Sequence, residues 1–531
     1  MDRDLQSIQE VRDLICAAKN AQRKLAQFSQ QQIDEICAAI AKAGEENAQK
    51  LAQMAVEETG FGNVPDKVLK NRLGSTLTWE YCKDMKTVGI VNEDPVKGIM
   101  EVAVPVGVIA ALIPSTNPTS TVLYKTIISI KAGNAIIISP HPGAKKAILE
   151  TYKIIKEAAE RAGAPVGTIG CISLTTVQAT NELMRHKDTN LILATGGEAM
   201  VHAAYSSGTP AIGVGPGNGP SYIERSANIP LAVKRIFDSK TFDNGTICAS
   251  EQSIVTEKII EKEVEEEVRK QGGYFLTPAQ SEKLSSFLLR ANGTMNPQIV
   301  GKTAQAIAQM AGIEIPQGTR VLVSRQRDIG KKFPYSREKL CPILAFFVED
   351  NWEKACETCI RILENEGSGH TMTIHSENKN VIREFALKKP VSRLLVNTPG
   401  ALGGVGVTTN LAPALTLGCG AVGGSATSDN ISPMNLLNFR RVAYGVKELE
   451  DIKGTSPCKA AVGSVQSTVS SAGSSAAKKF TPPISGVSHD DIRTSAGTNY
   501  SPSPAQGTSE DRVTDSDIEA IAKAVISRLG L

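Results

Sequence analysis

Ten cysteines are scattered along the chain, and one has the setting of a nucleophile. Cys248 follows a polar, glycine-containing approach, Thr241-Phe-Asp-Asn-Gly-Thr-Ile247, and is followed within a few residues by the apolar run Ser253-Ile254-Val255. A cysteine used for packing usually lies inside a periodic apolar run and is inert. This one follows a turn whose backbone N–H groups are free to hold a developing oxyanion, the arrangement that covalent catalysis by a thiolate requires. Three further segments carry polar groups that can serve such chemistry. Pro114-Ser-Thr-Asn-Pro-Thr119 follows an apolar run, so Asn117 would stand at a strand end with its amide available, although Asn-Pro is also an ordinary turn. Thr195-Gly196-Gly197 lies between a strand-like and a helix-like stretch, where backbone N–H groups and a helix dipole can receive a pyrophosphate; many strand-to-helix turns use glycine for geometry alone. Gly213-Val-Gly-Pro-Gly-Asn-Gly-Pro220 would let backbone pack closely on a planar ligand or on a neighbouring strand.

Positioning these segments requires a scaffold that alternates strands and helices. From Asp4 to about Thr59 the pattern is helical, with Ser29 as an N-cap, Ile33, Ile36, Cys37 and Ile40 on one face, and Gly60 as the stop. Strand-like runs then follow at Val106 to Ile113, Ala135 to Ser139, Ile169 to Leu174 and Leu191 to Ala194, separated by amphipathic stretches ending near Lys131 and Arg161. Gly133 and Gly163 fall where helix C-caps belong. This is α/β punctuation and predicts a doubly wound parallel sheet of Rossmann type, with ligands beyond the strands' carboxyl ends. A second α/β stretch runs from about Ile223 to Val422 and is opened by Cys248, which would face the first domain across a cleft.

With 531 residues, two or three domains are expected. The predicted divisions are 1–225 for cofactor binding, with 87–105 as an oligomerisation segment; 226–425 for catalysis; and 426–453 as an oligomerisation and return segment, the two oligomerisation segments making a small β-flap. After Gly454 the composition turns to Ser, Ala, Gly, Thr and Pro, which predicts a disordered linker over 454–512. At 513–531, Ile518, Ile521, Ala522, Val525 and Leu529 line one face of a predicted helix too short to be stable alone, which suits docking on a partner. The 58 basic and 55 acidic residues leave a net charge of +3 and no basic stripe, so nucleic acid is not an expected partner. No apolar stretch approaches the roughly 20 residues that span a bilayer, and scattered cysteines without a signal core predict a cytoplasmic location. Cys356-Glu-Thr-Cys359 lacks a second ligand pair, and no metal is expected there.

Taken together, Ser115 to Thr121, Gly215 to Asn218, Phe242 to Cys248, Glu366-Gly-Ser-Gly-His-Thr371 and Gly418-Cys-Gly420 resemble the aldehyde dehydrogenase superfamily. The resemblance covers about residues 4 to 450. It points to the coenzyme A-acylating branch that includes the propionaldehyde and acetaldehyde dehydrogenases of bacterial propanediol and ethanolamine utilisation. The resemblance implies Cys248 as nucleophile, with its own N–H and the Asn117 amide as oxyanion hole, and His370 as an auxiliary residue without an assigned role. It implies contacts to NAD or coenzyme A from Ser115, Thr116, Ser139, Pro140, Thr195, Gly196, Gly197, Gly215, Pro216 and Gly217, with Glu338 on the nicotinamide ribose.

Hydrolytic relatives carry a glutamate base where this chain has Val214-Gly-Pro-Gly-Asn218, and no carboxylate stands there. Water, with a pKa near ~15.7, needs such a base, whereas a thiol near ~8.5 does not. The lysine and glutamate that hold the adenine ribose in hydrolytic relatives are replaced by Ser139-Pro-His-Pro142, so looser dinucleotide binding is expected. The implied reaction is oxidation of a short-chain aldehyde, propanal favoured over acetaldehyde, to its acyl-coenzyme A by a ping-pong route. The implied setting is a homo-oligomer, dimer or tetramer, inside a bacterial microcompartment, with the terminal helix binding shell proteins. A hydrolytic or phosphorylating dehydrogenase, or an inactive shell adaptor, are the alternatives.

Overall fold

Strand β3 (Val108–Ile113, sequence VIAALI) is buried along its whole length, and so is β4 (Ala135–Pro140). Continuous apolar runs of this kind are what a parallel sheet covered on both faces demands. With β5 (Ile169–Cys171), β6 (Leu191–Thr195) and β7 (Ala211–Val214) they form a five-stranded, wholly parallel sheet in the order β5-β4-β3-β6-β7. Side chains alternate across it. Ala111, Ile113, Ile136 and Ile138 pack on the helices Gln30–Glu46, Pro118–Lys131 and Lys145–Arg161, while Val108, Ala110, Leu112 and Ile137 pack on Arg3–Leu25 and Val177–Arg185. The computed structural model describes residues 2–453, so the predictions for 454–512 and 513–531 lie outside the described residues.

The helical opening divides into Arg3–Leu25, Gln30–Glu46 and Ala48–Thr59. Ser29 closes a reciprocal capping box with Gln32, and Gly60 ends the third helix in the left-handed conformation at φ +65°. Strand β5 is shorter than its apolar run, because the backbone N–H groups of Ser173 and Leu174 donate to the Glu10 carboxylate at 2.7 and 2.9 Å instead of joining the ladder.

The second sheet is also wholly parallel. It contains β8 (Pro220–Ile223), β9 (Ser253–Glu257), β10 (Gly273–Phe275), β11 (Val321–Arg325), β12 (Ile343–Glu349), β13 (Gly369–His375) and β14 (Val391–Val396), in the order β10-β11-β12-β9-β8-β13-β14. It begins at Pro220, ahead of the expected boundary at 225, because the glycine-rich Gly213–Gly219 segment is the crossover between sheets. A Cβ at Gly219 would lie 2.5 Å from the Thr371 carbonyl oxygen, so only glycine passes there without displacing β13.

A third, antiparallel sheet joins β1 (Gly89–Asp94), β2 (Ile99–Pro105) and β15 (Leu437–Ala443), with β2 in the centre. The segment expected at 87–105 is thus a hairpin to which the chain returns at 437–443.

Candidate active site

In the first sheet the strand order reverses between β3 and β6, and a crevice opens beyond their carboxyl ends. The loops leaving those strands, Pro114 to Asn117 and Gly196-Gly197, line one cavity of about 540 Å³, within the range typical of small-molecule sites. The second sheet closes it with its amino ends: Cys248 precedes β9 and Glu338 precedes β12.

The segment that delivers Cys248 is conformationally unusual. After the helix Ile229–Thr241, three consecutive residues, Asp243, Asn244 and Gly245, are left-handed at φ 49°, 53° and 80°. Asp and Asn tolerate this region better than other side chains, yet each non-glycine residue held there costs about 1–3 kcal/mol unless its surroundings enforce it. Here they do. The buried Asp243 carboxylate accepts from Lys67 Nζ at 2.9 Å, from Lys70 Nζ, from Thr246 Oγ1 at 2.7 Å and from the Asn63 N–H at 2.9 Å. The Asp243 N–H in turn donates to Asp66 at 2.7 Å. Most of these bonds reach back about 175 residues to the helix Val64–Arg72 and its N-cap Asn63, and they clamp the turn before Cys248.

Cys248 is half-buried and lines the cavity. Burial, then the nearby Glu338 charge, pushes its thiol up to about 12, with Arg393 opposing. At rest the group is therefore a thiol, and its activation needs a positive charge or a proton acceptor brought into the cavity. Burial likewise pushes Glu338 up to about 8, Glu366 adding to the effect and the Gly217 N–H opposing it through a 2.9 Å bond to Oε1. Lys70 is pulled down to about 8 by burial against the attraction of Asp243.

Of the residues expected at a cofactor, Ser115, Thr116, Thr195, Gly196, Gly197, Gly215, Pro216 and Glu338 line the cavity beside Asn117 and Cys248. Gly217 lies behind this lining, where it donates to Glu338. Ser139 and Pro140 are buried at the end of β4, Ser139 Oγ sharing a hydrogen bond with Thr180 Oγ1 at 3.0 Å, and the exposed His141 reaches the cavity in their place. The strand continues through Pro140, so the first side chain free to turn outward is the next one.

His370 is fully buried and does not line the cavity. Its Nδ1 is 3.0 Å from Thr371 Oγ1, its Nε2 has no partner, and burial with the Arg393 charge lowers it to about 3, so it is neutral. Cys356 and Cys359 are buried on the helix Trp352–Asn365, where Lys389 Nζ donates to Cys356 Sγ at 2.7 Å.

The sequence reading missed several contributors. Thr246, the loop Thr294 to Val300, and Val405, Leu415 and Leu417 also line the cavity. Val405 borders a second cavity of about 620 Å³, mostly apolar, with Leu69, Lys70, Leu73, Phe242 and Leu402. Thr246 and Phe242 lie within the Phe242 to Cys248 motif, but no motif marks the others, which come from four further parts of the chain. Lys67 and Lys70, on the short helix Val64–Arg72, carry no motif either.

Helix Glu198–Tyr205 starts at Gly197 without a side-chain cap, so its first N–H groups are left for a ligand at the cavity mouth. Two parallel sheets, an uncapped helix start at a switch point and a cysteine thiol lining the same cavity are thus combined in one chain. The aldehyde dehydrogenase family model matches residues 4–328. The chain is 43% identical over 442 residues to the bifunctional aldehyde-alcohol dehydrogenase of Escherichia coli K12, covering 82% of this chain and 50% of that protein. It is 38% identical over 444 residues to the acetylating succinate-semialdehyde dehydrogenase of Clostridium kluyveri, covering 82% and 96%. The chain thus spans about half the length of the bifunctional relative.

Among solved structures, a probable aldehyde dehydrogenase from Listeria monocytogenes EGD-e superposes with a TM-score of 0.84 at 65% identity, covering 85% of this chain and 100% of that one. A propionaldehyde dehydrogenase from the Clostridium phytofermentans fucose utilisation microcompartment gives 0.74 at 31%, covering 82% and 97%. The Rhodopseudomonas palustris propionaldehyde dehydrogenase with bound propionyl-CoA gives 0.75 at 26%, covering 82% and 94%. The chain belongs to the aldehyde dehydrogenase family, and within that superfamily to its acetylating branch.

Proposed function

We propose that this protein oxidises a short-chain aldehyde, propanal in preference to acetaldehyde, to its acyl-coenzyme A, with NAD as hydride acceptor and coenzyme A as the thiol. The observation that carries the reading is the juxtaposition of Cys248, the Asn117 amide and the uncapped start of helix Glu198–Tyr205 on one cavity, without a carboxylate on the Val214–Asn218 segment. A dinucleotide fits this site: the free N–H groups at Gly197 suit a pyrophosphate, and a Cβ at Gly197 or Gly215 would meet nothing within 4 Å, which leaves open space along the glycine lining. Thr195, Gly196 and Gly197 would hold the phosphates, Ser115, Thr116, Gly215 and Pro216 would border the cofactor, and Glu338 would accept from a ribose hydroxyl. When bound, the nicotinamide supplies the hydride acceptor.

The chain's own residues do the rest. The Cys248 thiolate adds to the aldehyde carbonyl, and the Cys248 N–H and Asn117 Nδ2 stabilise the resulting alkoxide, each such donor being worth about 3–4 kcal/mol. Loss of hydride from the same carbon leaves a thioester on Cys248. The coenzyme A thiolate then attacks that carbonyl, the alkoxide re-forms in the same hole, and the Cys248 thiolate leaves. The carboxylates lining the cavity are Glu198, Glu338 and Glu366, and Glu338 is held by Gly217, which limits its use as a base for water. His141 and Cys248 line the same cavity, and the bound propionyl-CoA of the Rhodopseudomonas relative supports coenzyme A as the thiol.

NADH formation is expected to stop at about one equivalent per active site when aldehyde and NAD are supplied alone, and to become catalytic on adding coenzyme A. Sustained turnover without coenzyme A would establish hydrolysis instead. The microcompartment relative supports a cytoplasmic microcompartment as the setting; the apolar positions Ile518, Ile521, Ala522, Val525 and Leu529 are the ground for reading 513–531 as the address for shell proteins. Deleting 513–531 should leave turnover in free solution unchanged and abolish co-purification with shell proteins; unchanged co-purification would refute the address. The β1-β2-β15 sheet, whose outer strands leave unpaired edges, is the proposed contact between subunits.

A further inference from the structure

Asn117 carries two chemically different ends on one planar group, and only its NH₂ end can donate to an alkoxide. Asparagine at a helix N-cap ordinarily turns its carbonyl oxygen onto the backbone N–H groups of the first turn. Asn117 is the N-cap of Pro118–Lys131, yet its side chain makes no such bond. Its Oδ1 instead accepts from Lys70 Nζ at 2.6 Å. A lysine ammonium has three protons and no lone pair, so the end of the amide that meets it must be the oxygen. Lys70 is almost completely buried, and its three protons go to Asn117 Oδ1, Thr246 Oγ1 at 2.8 Å and the Asp243 carboxylate. Every acceptor therefore belongs to a loop that borders Cys248. The other end of the amide is loosely held: Nδ2 donates to Thr116 Oγ1 at 3.3 Å and to the Thr246 carbonyl at 3.4 Å, both beyond the usual range of about 2.7–3.2 Å. A stronger acceptor in the cavity would displace them.

We propose that Lys70 is a positioning residue that sets the orientation of the Asn117 carboxamide, keeping its NH₂ end toward the position of the substrate alkoxide. Lys67 completes the arrangement from the same helix, donating to the Thr116 carbonyl at 3.1 Å and to Asp243, so that the Asn117 loop and the nucleophile loop share one anchor. Without Lys70 its other two acceptors, the Asp243 carboxylate and the Thr246 hydroxyl, are left on that side. They would draw the NH₂ end of Asn117 toward themselves and turn its carbonyl to the alkoxide, converting a stabilising dipole into a repelling one.

The inference rests on the reading of Asn117 as an oxyanion donor, and a double-mutant cycle separates the two. Turnover with propanal, NAD and coenzyme A is measured for the wild type, Asn117→Ala, Lys70→Met and the double variant, together with KM for NAD and for coenzyme A. Asn117→Ala is expected to lower kcat about 10²- to 10³-fold. Lys70→Met is expected to lower kcat about 10- to 100-fold, as loss of a charge-assisted hydrogen bond would, with both KM values within about threefold of the wild type. The double variant should be no more than about twofold slower than Asn117→Ala, because Lys70 acts through a group already removed. Losses that multiply in full would overturn the proposal and leave Lys70 a structural residue. An Asn117→Ala enzyme with wild-type kcat would instead sink the oxyanion assignment, and the proposal with it. Circular dichroism checks the fold. If Lys70→Met does not fold, Lys70→Gln, which offers Asn117 an acceptor as well as a donor, carries the same cycle with the same expected outcome.

Discussion

Cys248→Ser is expected to lower aldehyde oxidation by on the order of 10⁵-fold, the scale on which removal of a catalytic nucleophile acts, while dinucleotide binding and the melting temperature stay close to those of the wild type. The hydroxyl is the smaller group, so the substitution fits the same space. It fails chemically. A thiol already pushed up to about 12 can reach the thiolate when a positive charge enters the cavity, but an alcohol starts several pKa units higher and has no base on the Val214–Asn218 segment to help it. Steady-state NADH formation, with mass spectrometry of enzyme quenched in the presence of aldehyde and NAD, measures both sides of the expectation. The wild type should carry an acyl adduct on Cys248 and the variant none. Serine enzyme retaining more than about one hundredth of wild-type turnover would remove covalent thioester chemistry from consideration.

Gly217→Ala is expected to lower kcat about 100-fold and stability by about 1–3 kcal/mol, the usual cost of forcing an extra carbon into a packed interior. A Cβ at this position would stand 2.0 Å from the Cys248 carbonyl oxygen, 2.9 Å from its carbonyl carbon and 3.3 Å from His370 Cε1. The first two contacts are with backbone, so the collision can be relieved only by moving the nucleophile's own main chain or the crossover that carries Gly217. A displacement near 1 Å at the reacting group is enough for such a loss. Movement of the crossover would also break the Gly217 N–H bond to Glu338. Thermal unfolding and kcat are the measurements. An alanine variant with wild-type values of both would show that the crossover slides freely past the nucleophile loop, contrary to the close packing of Gly217, Gly219 and Gly367 on their neighbours.

Much of the scaffold can be read along the chain, and the reasons are local. Apolar runs such as Val108–Ile113 and Ala135–Pro140 announce parallel strands because nothing but burial on both faces accommodates them. Ser29 and Gly60 punctuate the first helices through bonds to residues three or four positions away. The candidate nucleophile is also marked locally, since a polar turn before Cys248 and a strand after it are both local features.

The misreadings have equally specific causes. Strand β5 ends at Cys171, short of Leu174, because Glu10, more than 160 residues earlier, takes the backbone donors of Ser173 and Leu174. β4 also runs one residue further than its apolar pattern, through Pro140, so that His141 rather than Ser139 or Pro140 lines the cavity.

The chain by itself determined the helical opening and the buried strand runs of the first sheet, and it marks Cys248 as the candidate nucleophile, because helix caps, strand runs and turn residues depend on neighbours a few positions apart. The tertiary structure alone decided that Cys248 and Glu338 approach the cavity from the amino ends of their strands. It also decided that the thiol rests protonated, and that Lys67 and Lys70 are buried on Asp243. Those outcomes depend on burial and on charges brought together from about 175 residues apart, and the energy of a charge is set by what surrounds it in space rather than by what adjoins it in the chain.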